Sequence, residues 1–393
     1  MGKIVGGIVK MKVSFPYMGS AIVYKKLFEF LEHEVIMPPK PTQRTMDLGV
    51  KYSPEFACIP LKMVMGTYLE AIEKGAKVLV TSGGHGPCRA GFYGDTHRNI
   101  LKSLGYDDVE LIIFDAPQDN WRAFFRNVQK IRNGVPWHKV INRMYTLYRF
   151  VQKLDELEKM VQKIRPYEVN KGQTTQVWNQ IQEKFDKIKT RKELYKVYEE
   201  CKQMLLSIPT KKVDEKDRIR VGIVGEIYVV MESSINFGIE EILGNLGVEV
   251  ERSLYLFEWI NDNLVPWILR PKRFKEIIKK GQKYIKILIG GHAVETVGHI
   301  IDFKERGFDG IVHLMPFACL PELVTQSLIP KISKEVDIPI LSLPIDEQTG
   351  KANMLTRIEA FIDLLRNRKR GKTKEVFIDN IQEHVQEERV VMV

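Results

Sequence analysis

Long apolar runs are missing from this 393-residue chain, and cysteine is scarce, at 4 residues. No segment approaches the ~20 consecutive apolar residues that a bilayer-crossing helix needs, so no membrane partner is expected. Four cysteines over such a length make no disulfide framework; a reducing compartment, and so a cytoplasmic location, is the simplest expectation. There is no Cys-x-x-Cys, so local spacing supplies no metal signature. A Gly-x4-Gly-Lys-Ser/Thr phosphate loop is also lacking, and Val5-Gly-Gly is too short for a dinucleotide fingerprint, so the chain is expected to hydrolyse no nucleotide itself. The first 20 residues read as a strand and a glycine turn rather than a cleavable signal.

What is present is a soluble globular composition, 44% apolar and 28% charged, long enough for two or three domains. The net charge of +10 is uneven. Between Asp119 and Arg220 there are 24 Lys/Arg against 13 Asp/Glu, a surplus of 24 − 13 = 11 that covers the whole excess. Such a stretch is a solvated helical face, a dock for an acidic protein, or an attractor of a polyanionic substrate such as a phosphorylated cofactor ester. Nucleic acid ranks last, because Trp121, Trp137, Tyr145, Tyr148 and Trp178 fall at core-like helical spacing and match no binding module.

Apolar periodicity divides the chain. Residues 1–118 alternate strand and helix, with Lys12-Val-Ser-Phe-Pro, Val35-Ile-Met, Lys77-Val-Leu-Val-Thr81 and Val109-Glu-Leu-Ile-Ile-Phe114 as strands. Residues 119–213 are helical and basic. Residues 214–366 return to strand–helix alternation, with strands at Arg220-Val-Gly-Ile-Val, Val248-Glu-Val, Tyr284 to Ile289, Gly310-Ile-Val-His-Leu and Ile338 to Leu343. The last helix is expected over 356–365, and 367–393 form a charged, fraying tail. Continuous apolar strands fit parallel sheets covered on both faces. The fold class is therefore α/β: two Rossmann- or flavodoxin-like parallel-sheet domains flanking a helical segment. Both α/β segments show the same element pattern, which makes Cys88 and Cys319 topological counterparts across an interdomain cleft.

Three of the four cysteines lie in turns between strand and helix. Cys58 is in Tyr52-Ser-Pro-Glu-Phe-Ala-Cys-Ile-Pro-Leu-Lys62, Cys88 in Ser82-Gly-Gly-His-Gly-Pro-Cys-Arg-Ala-Gly91, and Cys319 in Leu314-Met-Pro-Phe-Ala-Cys-Leu-Pro-Glu322. That is where open α/β sheets bind ligands, and a helix N-terminus there is expected to lower thiol pKa. Three converging turns would hold an iron–sulfur cluster, with Gly83, Gly84 and Gly86 allowing backbone N–H groups close to sulfur. A zinc site using His85 or His97 with Cys88 is the rival. Cys201, mid-helix in Tyr198-Glu-Glu-Cys-Lys, reads as structural, and His292 and His299 as ordinary loop or helix histidines.

The stretches Ser53-Pro-Glu-Phe-Ala-Cys-Ile-Pro-Leu-Lys62, Gly83-Gly-His-Gly-Pro-Cys-Arg-Ala-Gly-Phe-Tyr-Gly94, His313-Leu-Met-Pro-Phe-Ala-Cys-Leu-Pro-Glu322 and Asp346-Glu-Gln-Thr-Gly350 together resemble the 2-hydroxyacyl-CoA dehydratase D-component family. The likeness is nearest to its acyl-CoA dehydratase activase-related (CoA protein activase) branch. The resemblance implies three thiolate ligands, Cys58, Cys88 and Cys319, for a [4Fe–4S] cluster with one open iron; some relatives build a double-cubane cluster instead. It also implies anaerobic electron transfer from a separate actin/Hsp70-fold activator ATPase, an acyl-CoA substrate, and an oligomer with identical or homologous subunits. One electron on the thioester carbonyl would make loss of the α-hydroxyl feasible, where simple base chemistry fails. Catalytic residues stay unknown, with Arg89, Glu55 and Glu322 as weak candidates and Lys62 and the Asp346-Glu347 pair as supports. The resemblance leaves open a dehydratase-like lyase and a double-cubane-type reductase component. Two other readings stand: a non-catalytic accessory protein that binds or matures the activator, and a metal-free CoA-binding module.

Overall fold

A computed structural model describes residues 4–5, 8–83, 88–114, 121–265 and 267–390. Ile4–Val5 (β1) and Ile8–Val9 (β2) pair antiparallel. Lys12–Ser14 (β3), Glu34–Val35 (β4), Val78–Ser82 (β5) and Glu110–Phe114 (β6) form a parallel sheet in the order β4-β3-β5-β6. Ile219–Gly225 (β7), Val248–Arg252 (β8), Gly310–Pro316 (β9) and Ile340–Ile345 (β10) form a second one, β10-β9-β7-β8. Numbered within its own sheet, each order reads 2-1-3-4. The two parallel sheets expected from continuous apolar strands are present, and the likeness of the halves extends to strand order. In such sheets ligands settle at the carboxyl ends of the strands, beside the reversal of strand order.

All seven residues of β9 are buried, because helices cover both of its faces. One apolar core runs through both halves, joining Met65, Leu79 and Leu111 of the first to Ile223, Leu314 and Ile358 of the second. Polar ties cross the same boundary: Tyr228 donates its hydroxyl to Tyr17 O at 3.0 Å and Gly19 N–H donates to Glu232 Oε2 at 2.9 Å. Helix Ile59–Glu73 is buried on almost every side. It crosses Gln43–Tyr52 so closely that a Cβ on Gly49 would lie 2.0 Å from Lys62 O, and one on Gly66 1.9 Å from Thr45 O. Glycine is required at that crossing.

Helices Trp121–Arg132, Trp137–Ile164, Gln173–Asp186 and Arg191–Leu206 make the expected middle segment. Phe150, Leu154, Phe185 and Leu194 form its core, where Cys201 is fully buried as a packing residue. Of the five aromatics at core-like spacing, Trp178 packs against that core and Tyr148 against Phe257 at its edge, while the other three depart from it. Trp121, Trp137 and Tyr145 are exposed, since helices on the outside of the segment bury only one face.

Two expected elements are corrected. The apolar run Tyr284–Ile289 is not a strand. Ile285 and Ile289 reach the core under Ala293–Glu305, while Ile287 and Leu288 point outward, and β7 pairs with β9 instead. The final helix does not end at Leu365 but runs over Lys351–Val390. Its later half has no proline and is rich in Lys, Arg and Glu, all good helix formers.

Candidate functional site at the cysteine turns

Each of the three turn cysteines is the residue immediately before a helix. Cys58 precedes Ile59–Glu73, Cys88 precedes the 3-10 turn Arg89–Phe92 that leads into Tyr93–Ser103, and Cys319 precedes Leu320–Glu335. Pro60 and Pro321 start two of these helices, where a missing N–H costs nothing. Cys88 follows the third strand of the first sheet and Cys319 the third strand of the second, so they are topological counterparts. The two turns also meet. A Cβ on Gly291 (φ +57°) would lie 2.8 Å from Pro321 Cγ and 3.8 Å from Cys88 Sγ, so a side chain there would crowd Pro321 and touch Cys88.

Cys58 is tied to the second cysteine's helix by a 2.6 Å contact between its Sγ and the Tyr93 hydroxyl. The thiols also feel one another. A charge on Cys88 raises the pKa of Cys58, and one on Cys58 raises that of Cys319. Glu226, just beyond β7, acts on all three in the same sense. Its own carboxyl pKa is raised, first by burial, although it accepts from Tyr228 N–H at 3.0 Å and Val229 N–H at 3.1 Å. His292 and Glu295 stand nearby, and burial raises the Glu295 carboxyl as well.

The thiols do not behave as a helix N-terminus alone would dictate. All three have raised pKa values, with burial as the largest cause; the nearby N–H groups of Leu61, Ala90 and Glu322 act in the opposite direction and are outweighed. Desolvation of a thiolate costs more than a few backbone dipoles return. Without a cationic group between them, these cysteines are thiols.

The candidate side chains fare unevenly. Arg89 donates to Phe56 O at 2.6 Å and so fastens the Cys58 loop to the Cys88 turn. Glu322 is fully buried, facing His313 Nε2 at 2.8 Å and Thr296 Oγ1 at 3.2 Å, while His313 Nδ1 faces Ser342 Oγ at 2.9 Å. Glu55 is exposed on the Cys58 loop. Lys62 is buried and pairs with Glu347 at 2.7 Å, and Asp346 closes its own turn by accepting from Gln348 N–H and Thr349 Oγ1. Gly83 N–H donates to Phe114 O at 2.8 Å, which fixes the sheet edge. Gly84, His85 and Gly86 lie outside the described residues. His97 is not aimed at the cysteines: it is fully buried, with Nε2 at 3.0 Å from Leu61 O. Among the described residues, no group of three or more His, Cys, Asp or Glu could hold a metal ion; His85, named with Cys88 for a zinc site, lies outside them.

Sequence reasoning passed over Glu226, Tyr93 and Gly291, and treated His292 as an ordinary loop histidine. The signal for Glu226 was its position after Gly225 at the carboxyl end of a buried strand. The turns carry an exposed apolar fringe: Phe56 is 80% exposed, Phe92 69% and Phe317 62%. Each lies within four residues of a site cysteine, on the side facing water.

Residues 18–365 match the family model described as 2-hydroxyglutaryl-CoA dehydratase, D-component. No curated protein matches the chain.

Proposed function

The chain belongs to the 2-hydroxyglutaryl-CoA dehydratase D-component family, and from that premise we propose that it is the iron–sulfur component of a 2-hydroxyacyl-CoA dehydratase-type system. Cys58, Cys88 and Cys319 are the proposed ligands. The observation that carries the reading is that two buried thiols, Cys58 and Cys319, and the half-buried Cys88 stand at three separate helix starts and are all influenced by one buried carboxyl group, Glu226. A cluster suits this donor set better than a single ion, since each cysteine then binds its own iron and the sulfurs need not crowd one centre. Gly291 supports the same reading, because it leaves free the space beside Cys88 Sγ that a side chain would fill.

When bound, the cluster supplies a low-potential electron and an open iron position. The chain's own residues do the rest. Tyr93 holds the Cys58 sulfur in place and offers it a hydrogen bond. Glu226, whose raised pKa lets it keep a proton more readily than an ordinary carboxyl, is placed to give or take one beside the thiols. Lys62 and Glu347 bind the cysteine-bearing helix to the far half of the molecule. The exposed Phe56, Phe92 and Phe317 fit coverage by a second subunit or by an actin/Hsp70-fold activator ATPase, which would also exclude water and oxygen.

Anaerobic expression followed by iron and acid-labile sulfide analysis and EPR tests this directly. The expected result is about four irons per chain, lost when Cys58, Cys88 or Cys319 is replaced by Ala and retained in Cys201→Ser, whose site is the helical core. Iron-free, colourless protein overturns the proposal and leaves a metal-free CoA-binding module. Turnover of a 2-hydroxyacyl-CoA with activator and ATP separates a catalytic component from an accessory one.

A further inference from the structure

We propose that the chain carries a second binding site, remote from the cysteine turns, for a multiply phosphorylated small molecule of nucleotide size. A cavity of about 810 Å³ opens between helix Ile22–Phe30, helix Trp137–Ile164 and the 186–191 turn. None of the three cysteine turns contributes to its walls. That volume lies within the range of small-molecule and cofactor sites, and a lone phosphate would leave most of it unfilled.

Its lining is strongly basic. Lys26, Arg143, Lys187, Lys189 and Arg191 face two carboxylates, Glu29 and Asp186, a surplus of 5 − 2 = 3 positive charges. Both carboxylates are already engaged, Glu29 by Lys26 at 2.8 Å and Asp186 by Lys25 at 2.7 Å. Arg143 is engaged too, donating to Phe30 O at 2.7 Å and pairing with Glu32 at 2.9 Å. The uncompensated charge therefore sits at the exposed mouth, on Lys187, Lys189 and Arg191, three cations within five residues; Arg191 stacks over Tyr145 at 5.3 Å. Three exposed cations lining one mouth are what a di- or triphosphate, or a pair of phosphate monoesters, recognises.

The following helix start is not the anion site. Glu193 already occupies it, accepting from Lys189 N–H at 2.8 Å and Thr190 N–H at 3.2 Å. Phosphate is held by side chains, and the remaining wall suits an organic ring: Phe30 offers apolar surface, with the exposed Asn142 beside it for hydrogen bonding. The proposal stands whether or not the cysteines hold iron.

Isothermal titration calorimetry on the full chain, with ATP, adenosine 3′,5′-bisphosphate, adenosine and tripolyphosphate as probes, tests it. Saturable binding of ATP or the bisphosphate is expected, weakened about tenfold or more in Lys187→Gln/Lys189→Gln and reduced by added salt; adenosine should not bind, and tripolyphosphate should bind less tightly than the preferred nucleotide. The tighter nucleotide identifies the source of the phosphates, a nucleoside polyphosphate or the nucleotide end of a coenzyme A ester. Both lysines are exposed, so the variant is expected to fold, which its thermal midpoint checks. No saturation by either nucleotide at millimolar concentration, or equal affinity in the variant, overturns the proposal.

Discussion

Lys62 Nζ donates to Glu347 Oε1 at 2.7 Å, tying the helix capped by Cys58 to the loop that follows β10. The pair is asymmetric: the Lys62 side chain is 3% exposed and that of Glu347 26%. Removing the carboxylate leaves a buried ammonium with no partner, whereas removing the ammonium leaves a carboxylate that water can reach. Glu347→Ala is therefore expected to cost about 2 kcal/mol, and Lys62→Met less than about 1 kcal/mol. Urea unfolding at neutral pH ranks the two; the reverse order would show that the pair contributes through Glu347's contacts rather than through the buried charge.

His97 sets a pH dependence. Burial lowers its pKa from 6.5 to about 4, while the unfolded chain titrates it normally. As pH falls, the unfolded state takes up this proton first, so the contribution is complete above pH 6.5 and is lost progressively toward pH 4. The loss over that window is on the order of 3 kcal/mol. Other buried groups titrate in the same range, so the readout is the difference between wild type and His97→Gln, which keeps a donor for Leu61 O. The variant's stability should fall less steeply between pH 6.5 and 4. Parallel curves would mean that His97 ionises in the fold without penalty.

The two parallel sheets were legible because strands such as Val78–Ser82, Glu110–Phe114 and Gly310–Pro316 carry continuous apolar runs between helical stretches, the pattern of a sheet covered on both faces. Tyr284–Ile289 has the same composition but pairs with nothing: a sequence pattern marks which backbone can extend, not which edge has room for it. The cysteines were legible as a set because all three share a strand–turn–helix context. Glu226 and Tyr93 were not, since nothing local to Gly225-Glu226 or Phe92-Tyr93 reveals that Glu226 influences all three thiols or that Tyr93 contacts Cys58. Thiol pKa direction was misread for the same reason. Helix position is local and visible in sequence, but burial arises only in the folded chain.

Behind Cys319, His313 spans β9 and the helix start, with one ring nitrogen facing Ser342 Oγ and the other Glu322 Oε2. Both His313 and Glu322 are fully buried. His313→Leu leaves the carboxyl group short of a partner in an apolar interior and is expected to cost about 3 kcal/mol. The double variant His313→Leu/Glu322→Leu removes both polar groups and should recover at least part of that loss. A thermal-melt double-mutant cycle measures it. Strict additivity would place the cost in packing rather than in the unpaired carboxyl.

Ala318 adopts φ +60°, a left-handed conformation that a Cβ disfavours, one residue before Cys319. The turn is pinned on both sides: Phe317 N–H donates to Ile345 O at 2.8 Å and Cys319 N–H to Pro316 O at 3.1 Å. Ala318 is thus held by its neighbours in a conformation it would not choose. Ala318→Gly should relieve the strain and raise stability by about 1 kcal/mol. Ala318→Val adds a β-branched side chain where φ is positive and should lower stability by more than the glycine raises it. If the strained turn serves to aim the Cys319 sulfur, the two variants part company in iron content: Val loses iron with stability, while Gly gains stability yet retains iron less firmly, because its turn samples other conformations. Thermal midpoints paired with iron retention under a chelator separate the two effects. Iron retention that simply follows stability in both variants would show that the turn has no role in aiming the sulfur.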